Sequence, residues 1–281
     1  KCADLLPDHF RFVKGVVDTP DVSLNISREL LQHTRQLKVI STNLEKKIKA
    51  ELSRLQKDDA EKYETFWNAF GRNLKYGVVS DYGVHKDMLL DLLMFRSSHD
   101  DKLTSLAQYK ERMGEDQEFI YYAVGEDAGK LSKLPQAERI LDKGYEILYL
   151  TEDVDEFCMQ TIGEYEGKKL KSIDDEDALP ESEEEKRAAE EKAEEAKDVL
   201  SFLKETLGNK ISDARISKIL KSHPVCMTAD GPVSLEMEKY FKRTGNEMMA
   251  GMSAQRVLEL TPDSAAFAAL KPAVETDKEL A

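Results

Sequence analysis

The chain has 281 residues, 34% of them charged, and a formal net charge of −14 at pH 7. This length accommodates two domains with their own cores or one large domain. The negative charge argues against a nucleic-acid-binding protein that neutralises phosphates. Three widely spaced cysteines without a C-x-x-C pattern favour a reducing compartment over a disulfide framework or a zinc site. No apolar run reaches the length of a membrane span and no signal-peptide pattern opens the chain, so we expect a soluble, cytoplasmic protein. Because the first residue is Lys, we also expect a piece of a longer polypeptide.

The first third of the chain predicts a strand followed by three helices. Residues 8–18 mix apolar and polar side chains as a strand or a strand followed by a turn does, and the pattern breaks at Pro20. A long amphipathic helix should run from Ser27 to about Gln56, because its apolar residues recur every three or four positions. A second helix carries an aromatic stripe, which we interpret as core, and stops at Gly77. A third, leucine-rich helix covers residues 86–95.

The next segment changes to an α/β pattern. Ser105 and Gln108 have the spacing of a capping box that opens a short helix. Residues 119–124 predict a strand, 136–143 a helix and 145–150 another strand. A strand–helix–strand unit of this length implies a parallel pair joined by a right-handed crossover.

Residues 173–197 mark a domain boundary. An acidic stretch comes first, and strong helix formers follow from about Glu181 to Leu207. We interpret this charge run as a solvated face without a binding role. The remaining predicted elements are strands at 215–220, 224–229 and 256–260 and helices at 232–243 and after Pro262. They form a compact α+β unit.

A long resemblance to a known family accompanies this order of elements. Residues 6–18 followed by 24–32 closely resemble the middle domain of the heat-shock protein 90 chaperones, with the bacterial branch nearest. Further matching stretches follow in the same order at 66–77, 103–109, 120–122, 146–150, 155–156 and 164–168. The resemblance is strong from residue 1 to about residue 172 and weaker beyond.

The resemblance implies an α/β and α+β fold, with an α-β-α layered middle domain followed by a small α+β C-terminal domain. The middle domain would contain part of a first sandwich, a helical connector and a small βαβ unit. The expected divisions are the C-terminal part of the large middle subdomain with its long helix (1–57), the helical connector (58–95), the small α/β subdomain (96–175), the acidic linker and helix start (176–197) and a truncated C-terminal domain (198–281). Pro272 should disrupt the last helix, and the family's dimerisation bundle should be missing. We therefore expect a monomer, although the full-length family protein is a homodimer.

Arg28 is the most informative candidate residue. It lies in the first turn of the predicted long helix, just after Ser27, a suitable N-cap. A cation there is unfavourable unless an anion is bound, and taken alone it is more often solvated or paired with Glu29. Gln32 lies four residues on, hence on the same helix face. The resemblance implies that Arg28 contacts the terminal phosphate of ATP, that Gln32 orders this contact, and that Asn25 and Ser27 hold the loop.

The resemblance also implies where the nucleotide binds. ATP and Mg would be held by an N-terminal domain that this sequence lacks, together with the catalytic glutamate. This chain should bind no cofactor and hydrolyse nothing alone, but should contribute in cis to the ATPase of the full-length chaperone. No metal cluster or nucleophile–histidine pair is recognisable, and the five histidines are scattered singly. The glycine-containing stretches 125–129 and 163–168 lack the spacing of nucleotide loops, and we assign them no such role.

A second implied site binds partly folded client proteins. Phe157 and Met159 correspond to a client-contacting aromatic patch of the family's middle domain. The other candidates form an apolar stripe on a short amphipathic helix of the C-terminal unit: Val233, Met237, Tyr240 and Phe241. Methionine and aromatic side chains suit promiscuous binding because they repack readily. Taken alone, the periodicity of the stripe from Val233 to Phe241 favours its packing on the sheet of its own domain. The resemblance favours exposure of Met237 and Phe241 and leaves Val233 open, and we expect residues 246–252 to be a mobile methionine-bearing segment.

The partners implied are the protein's own N-terminal ATPase domain, unfolded clients and co-chaperones that the sequence does not specify, with no nucleic acid and no membrane. The alternative hypothesis is an acidic α/β scaffold that binds partner helices or strands and has no nucleotide role. Such a scaffold would tolerate Arg28→Ala in every assay. A free-standing enzyme is disfavoured because no acid, base and nucleophile are assembled by any motif.

Overall fold

The computed structural model describes residues 5–18, 35–245 and 251–276. Within these ranges helices and strands are mixed, which confirms the predicted α/β and α+β class. The helices are α1 Arg35–Asp58, α2 Ala60–Val79, α3 Lys86–Leu89, α4 Leu106–Arg112, α5 Ala128–Leu131, α6 Pro135–Asp142, α7 Asp155–Ile162, α8 Glu183–Glu195, α9 Lys197–Leu207, α10 Leu235–Thr244 and α11 Ala265–Thr276. The strands are β1 Met94–Ser97, β2 Leu103–Ser105, β3 Phe119–Val124, β4 Ile147–Leu150, β5 Glu164–Tyr165, β6 Lys168–Ser172, β7 Asp213–Ile216, β8 Val225–Asp230 and β9 Gln255–Leu260.

The chain divides into two compact units. The first comprises residues 1–95, 103–112 and 157–166, and the second comprises residues 96–102, 113–156 and 167–281. In the first unit, α2 supplies much of the core through Tyr63, Trp67 and Leu74, as the aromatic stripe predicts. The same prediction is wrong for Phe70, which stays 37% exposed at the edge of this face, where its ring stacks on Phe12 with the centroids 4.7 Å apart.

Close packing against α2 explains two errors of the sequence prediction. Helix α2 does not stop at Gly77 but continues to Val79. A Cβ atom at Gly77 would lie 2.6 Å from the Cβ of His9, so this glycine permits a close approach instead of ending the helix. His9 and Phe10 are both buried in a 3-10 turn over Asp8–Phe10. Two consecutive buried side chains do not fit the alternation of a half-buried strand, so the strand predicted here is absent from the described residues 8–18.

The third predicted helix is shorter than expected. Helix α3 ends at Leu89, a 3-10 turn follows over Leu90–Leu92, and β1 begins at Met94. Burial then alternates, with Arg96 exposed between two buried neighbours, as in a strand. The capping box that opens α4 is confirmed. The amide of Ser105 donates to the side chain of Gln108 at 3.0 Å, and the amide of Gln108 donates to the Ser105 hydroxyl at 3.2 Å.

The sheet of the second unit confirms the predicted strand–helix–strand motif. Within this unit the strand order is β1-β4-β3-β6. Strand β3 is parallel to β4 and to β6, and β1 is antiparallel to β4. Helices α5 and α6 connect β3 to β4. Their apolar side chains pack with the sheet in a core that includes Tyr121, Leu131, Ile140, Ile147 and Tyr149.

The acidic run and the C-terminal elements complete the second unit. Helix α8 opens with a capping box between Ser182 and Glu185 and buries none of its residues, as a solvated helix would. Strands β7, β9 and β8 form a second sheet in that order, with β7 parallel and β8 antiparallel to β9. Helices α9 and α11 cover it through Val199 and Phe267. Contrary to prediction, α11 continues through Pro272. Proline removes one backbone hydrogen-bond donor from the helix, and the burial of Phe267 and Val274 in the core offsets that loss.

Candidate functional site

The predicted phosphate-facing residues lie outside the described part of the chain. Asn25, Ser27, Arg28 and Gln32 all fall within residues 19–34, between the first two described ranges. The role of the arginine therefore stays a prediction from the sequence and the resemblance.

Helix α10, which carries three of the six predicted client-binding residues, is well specified by its local sequence. The Ser234 hydroxyl caps its amino end by accepting a hydrogen bond from the Met237 amide at 3.0 Å. Gly245 ends it in the left-handed conformation, with φ of +61°. Two glutamates in the first turn, and Lys242 and Arg243 in the last, have the signs that the helix dipole favours.

The expectation that Met237 and Phe241 are exposed is wrong for this conformation. Met237 is 3% exposed and Phe241 is 5% exposed, whereas Val233 and Tyr240 are half-buried. A separation of four residues puts Met237 and Phe241 on one helix face, and that face is turned inward. Burying each such side chain is worth about 1.5–3 kcal/mol, so the closed arrangement is strongly favoured when no other apolar surface is offered. The burial of Met237 and Phe241 agrees instead with the packing inside the protein that their periodicity alone favours.

The predicted client-contacting patch on α7 is also mostly covered. Met159 is 1% exposed, its neighbour Cys158 is fully buried, and Phe157 is half-buried. The six candidate residues therefore form no open apolar surface in the described structure, because three of them are almost completely shielded from solvent.

A buried carboxylate fixes α10 to the beginning of β9. The Glu238 side chain is 3% exposed and accepts hydrogen bonds from Lys242, from Arg256 Nη2 at 2.8 Å and from the Ala254 amide at 3.0 Å. The Lys242 and Arg256 hydrogen bonds lower the pKa of Glu238 to about 2, against the opposing effect of burial. This carboxylate is therefore ionised at every pH near neutrality, and its three donors are charged or buried groups.

Two further contacts join α10 and its N-cap to residues 153–156. The Ser234 hydroxyl donates to Glu156 Oε2 at 2.8 Å. Burial raises the pKa of Glu156 to about 7, and the nearby Glu236 carboxylate acts in the same direction. At the opposite end of the helix, Arg243 pairs with Asp153, but both side chains are about half-exposed.

The sequence prediction missed a polar cluster in the first unit. The rings of His9 and His85 have centroids 5.5 Å apart, and His85 Nδ1 contacts the Asp81 carboxylate while its Nε2 lies 3.9 Å from Glu45. Burial, followed by the charge of His85, lowers the pKa of His9 to about 4. Hydrogen bonding to His85 lowers the pKa of Asp81 despite its partial burial. The spacing of Asp81 and His85 is a local signal for such a pair, but nothing in the sequence connects His9 to it.

The second unit has a polar cleft beyond the carboxyl ends of β3 and β4, where ligands of parallel sheets often bind. Its volume is about 570 Å³. The only guanidinium of its lining belongs to Arg96, which pairs with Asp101 at 3.0 Å, and Glu126 and Asp127 add two further carboxylates. An excess of negative charge is unfavourable for a phosphate. The geometry thus supports the interpretation that the glycine-containing stretch here is no nucleotide loop.

The second glycine-containing stretch is a turn. Glu166 and Gly167, between β5 and β6, both have positive φ, as the two central residues of a type I′ turn do. Among the described residues, no group of three or more His, Cys, Asp or Glu side chains is placed to hold a metal ion. No helix in these ranges is long and apolar enough to cross a bilayer.

Comparison with known proteins accounts for the whole chain. The family model described as Hsp90 protein matches residues 1–280. The protein named "Chaperone protein HtpG" from Bacillus subtilis (strain 168) is 52% identical over 279 residues, which cover 99% of this chain and 44% of that protein. The proteins of the same name from Clostridium perfringens (strain 13 / Type A) and Clostridium acetobutylicum are 52% and 50% identical over the same shares.

Two conclusions follow from these matches. The chain spans less than half the length of the relatives that it matches, at 44% in each case. The family itself is not in doubt, because the family model covers nearly every residue and the identity is about one half throughout. The chain belongs to the Hsp90 family of chaperones.

Proposed function

We propose that this chain is part of an ATP-dependent molecular chaperone, HtpG, in which it completes the ATPase site of an N-terminal domain and binds unfolded client protein. The observation that carries the proposal is identity of 50–52% to proteins named as HtpG chaperones over 99% of the chain. Homodimerisation of the longer protein and docking of co-chaperones belong to the same proposal, because they follow from the family and not from contacts seen here.

The ATPase contribution depends on Arg28. Its planar guanidinium can bind two phosphate oxygens at once and neutralise the charge that develops during phosphoryl transfer. Gln32 lies on the same face of the predicted helix and would orient the same phosphate, while Asn25 and Ser27 would hold the loop. In this division of labour the N-terminal domain holds ATP and Mg, and this chain needs no base or metal of its own.

The test combines this chain with a separately produced N-terminal domain of the Bacillus subtilis relative and measures phosphate release. We expect weak turnover that Arg28→Ala reduces about tenfold or more, since an arginine of this type stabilises the transition state directly. Arg35→Ala is the matched control, because it removes an exposed cation that would lie about 10 Å further along the predicted helix. Turnover that is unchanged by Arg28→Ala would instead favour the acidic interaction scaffold without a nucleotide role.

The client-binding contribution is tested with a permanently unfolded protein, reduced and carboxymethylated α-lactalbumin. We expect Met237→Ser and Phe241→Ser to weaken its binding, with folding checked separately because both side chains are buried. Tyr240→Ser tests the same helix at a half-buried position where the fold is less dependent on the side chain. Val39→Ser, at a 54% exposed position of α1, is the control for general loss of surface hydrophobicity. Equal binding by all four variants would refute the assignment of this site.

A further inference from the structure

One edge of the C-terminal sheet has no neighbouring strand in the described part of the chain. The strand order is β7-β9-β8, so β8 pairs with β9 alone. Opposite residues of an antiparallel pair alternate between those that exchange backbone hydrogen bonds and those that do not. The Thr261 amide donates to the Pro224 carbonyl at 2.9 Å, and this bond sets the phase of the alternation.

Counting in steps of two from Pro224, the residues of β8 that exchange backbone hydrogen bonds with β9 are Cys226, Thr228 and Asp230. The Leu260 carbonyl accepts from the Ser217 amide at 2.8 Å on the side of β7, which agrees with this phase because Leu260 lies opposite Val225. The remaining residues of β8 therefore point their N–H and C=O groups away from β9: Val225, Met227 and Ala229.

Two apolar side chains of this edge are open to solvent. Val225 is 45% exposed and Met227 is 37% exposed. They lie directly opposite Leu260 and Leu258, hence on the same face of the sheet. Leu260 belongs to the core that α9 and α11 cover, and Leu258 packs against that core. The apolar face of the sheet thus continues outwards to the edge of β8, where a further strand would extend it through cross-strand contacts.

The sequence of β8 does little to protect this edge. Charged side chains, proline and bulges are the usual means by which proteins prevent a sheet edge from pairing with another chain. Residues 225–229 carry no charge and no proline, and Pro224 and Asp230 flank them. The outward backbone groups of alternate residues are spaced about 6.8 Å apart, which is the repeat of an extended chain.

We propose that the outer edge of β8 binds an extended segment of an unfolded polypeptide as an added antiparallel strand. The backbone groups of Val225, Met227 and Ala229 pair with the segment, and apolar side chains at its alternate positions cover Val225 and Met227. The inference rests on the proposed client-binding function. It adds an exposed site for the same class of partner, whereas Met237 and Phe241 are buried.

Charge favours such a segment over a second copy of this chain. Each copy has a formal net charge of −14, so two copies that paired through the same edge would repel each other. A neutral or basic segment meets no such repulsion. Because backbone hydrogen bonds give most of the affinity in strand addition, the edge accepts many sequences with alternating apolar residues.

The first experiment uses a synthetic peptide, Arg-Val-Thr-Val-Thr-Val-Arg, acetylated, amidated and fluorescently labelled, whose binding to the full chain is measured by anisotropy. N-methylation of the last two valines removes amides that face β8 in an antiparallel pair, and should weaken binding about tenfold or more. N-methylation of the two threonines is the matched control, since their amides face away, and should change binding less than twofold. Equal effects of the two patterns, or loss with the threonine pattern alone, would overturn the proposal.

Residue-resolved hydrogen exchange by NMR reads the same edge from the side of the protein. In the free chain we expect fast exchange at the outward amides of Val225, Met227 and Ala229 and slow exchange at Cys226 and Thr228. Saturating peptide should slow the outward amides about tenfold or more and leave the other two unchanged. Protection without this alternation would contradict strand addition. Protection that rises with protein concentration in the absence of peptide would show that a second copy occupies the edge instead.

Variants of β8 separate the backbone from the side chain. Met227→Pro removes an outward amide that β9 does not use, so the β8–β9 pairing is kept while the added strand is blocked. We expect at least fivefold weaker peptide binding, whereas Met227→Thr, which keeps the amide, should bind clearly more tightly than Met227→Pro. Val225→Lys protects the edge by charge and serves if the proline variant does not fold. Unchanged binding by a folded Met227→Pro or Val225→Lys would refute the added strand.

Failure of this inference is distinguishable from failure of the proposed function. If reduced and carboxymethylated α-lactalbumin binds but the peptide protects none of the outward amides, the strand addition is wrong and the client-binding function stands. If the peptide protects alternate amides of β8 but α-lactalbumin does not bind, the client-binding function fails and the strand-accepting edge stands.

Discussion

Replacing Glu238 by Gln tests a buried, charged contact between α10 and the beginning of β9. The substitution keeps the size of the side chain and its accepting oxygen but removes the charge that Lys242 and Arg256 neutralise. It also leaves the Ala254 amide with a weaker acceptor. Removing one partner of a buried, hydrogen-bonded charge is costly, because the remaining groups lose their compensation.

The expected magnitude follows from the pKa of Glu238. A change from 4.5 to about 2 corresponds to about 3 kcal/mol of interaction between the ionised carboxylate and its surroundings. The Lys242 side chain is 69% exposed, so solvent screening reduces this to about 2 kcal/mol. Because the pKa is lowered in the folded state, the stabilisation is present above pH 4.5 and is lost as the pH falls towards 2.

Hydrogen exchange of the α10 and β9 amides, together with urea unfolding, measures this effect. We expect Glu238→Gln to lower the free energy of local unfolding by about 2 kcal/mol at pH 7 and to lose much of the difference near pH 3. Glu236→Gln is the control, because Glu236 is on the same helix and forms an ion pair with the exposed Lys239. A change below about 0.5 kcal/mol for Glu238→Gln, or equal changes in the two variants, would refute the reasoning.

Three further predictions concern the first unit. Gly77→Ala should destabilise the protein by about 1–3 kcal/mol in urea unfolding, since the new Cβ would overlap the buried His9, while Gly114→Ala, in open space, should not. Because burial lowers the pKa of His9 to about 4, the free energy of unfolding falls as the pH is lowered from 6.5 to 4. His9→Gln should remove about 2–3 kcal/mol of this pH dependence, measured by unfolding at a series of acidic pH values. Ser105→Ala should lower the free energy of unfolding by about 1 kcal/mol, measured by circular dichroism melting, because the Gln108 amide loses the hydroxyl that accepts its hydrogen bond.

Elements with a strong local signal could be predicted from the sequence. The strand at 119–124 coincides with β3, and the capping box of Ser105 and Gln108 forms with both expected hydrogen bonds. The parallel pairing of β3 and β4 followed from the length of the intervening segment alone. In each case the information lies within a few residues, or in a connection length that permits one topology.

Features set by contacts between distant residues could not be predicted in this way. A glycine near a helix end usually marks the end, and only the presence of His9 shows that Gly77 instead permits close packing. The periodicity of α10 correctly identifies Met237 and Phe241 as one apolar face, but it gives no information on whether that face meets protein or solvent. The resemblance favoured solvent, and the burial of both residues shows a closed arrangement.

If α10 binds unfolded clients as proposed, the burial of Met237 and Phe241 inside the protein competes with client binding for the same apolar area. Exposing Met237 and Phe241 together costs about 3–6 kcal/mol, and the exposed Arg243–Asp153 pair adds at most about 1 kcal/mol. Apolar burial therefore dominates the closed state, and the polar contacts adjust it. A folded protein, with few accessible apolar side chains, cannot repay that cost, whereas an unfolded segment can replace the buried area directly. The preference for unfolded polypeptides would then arise from the energy needed to open the helix, without any sequence-specific contact to the client.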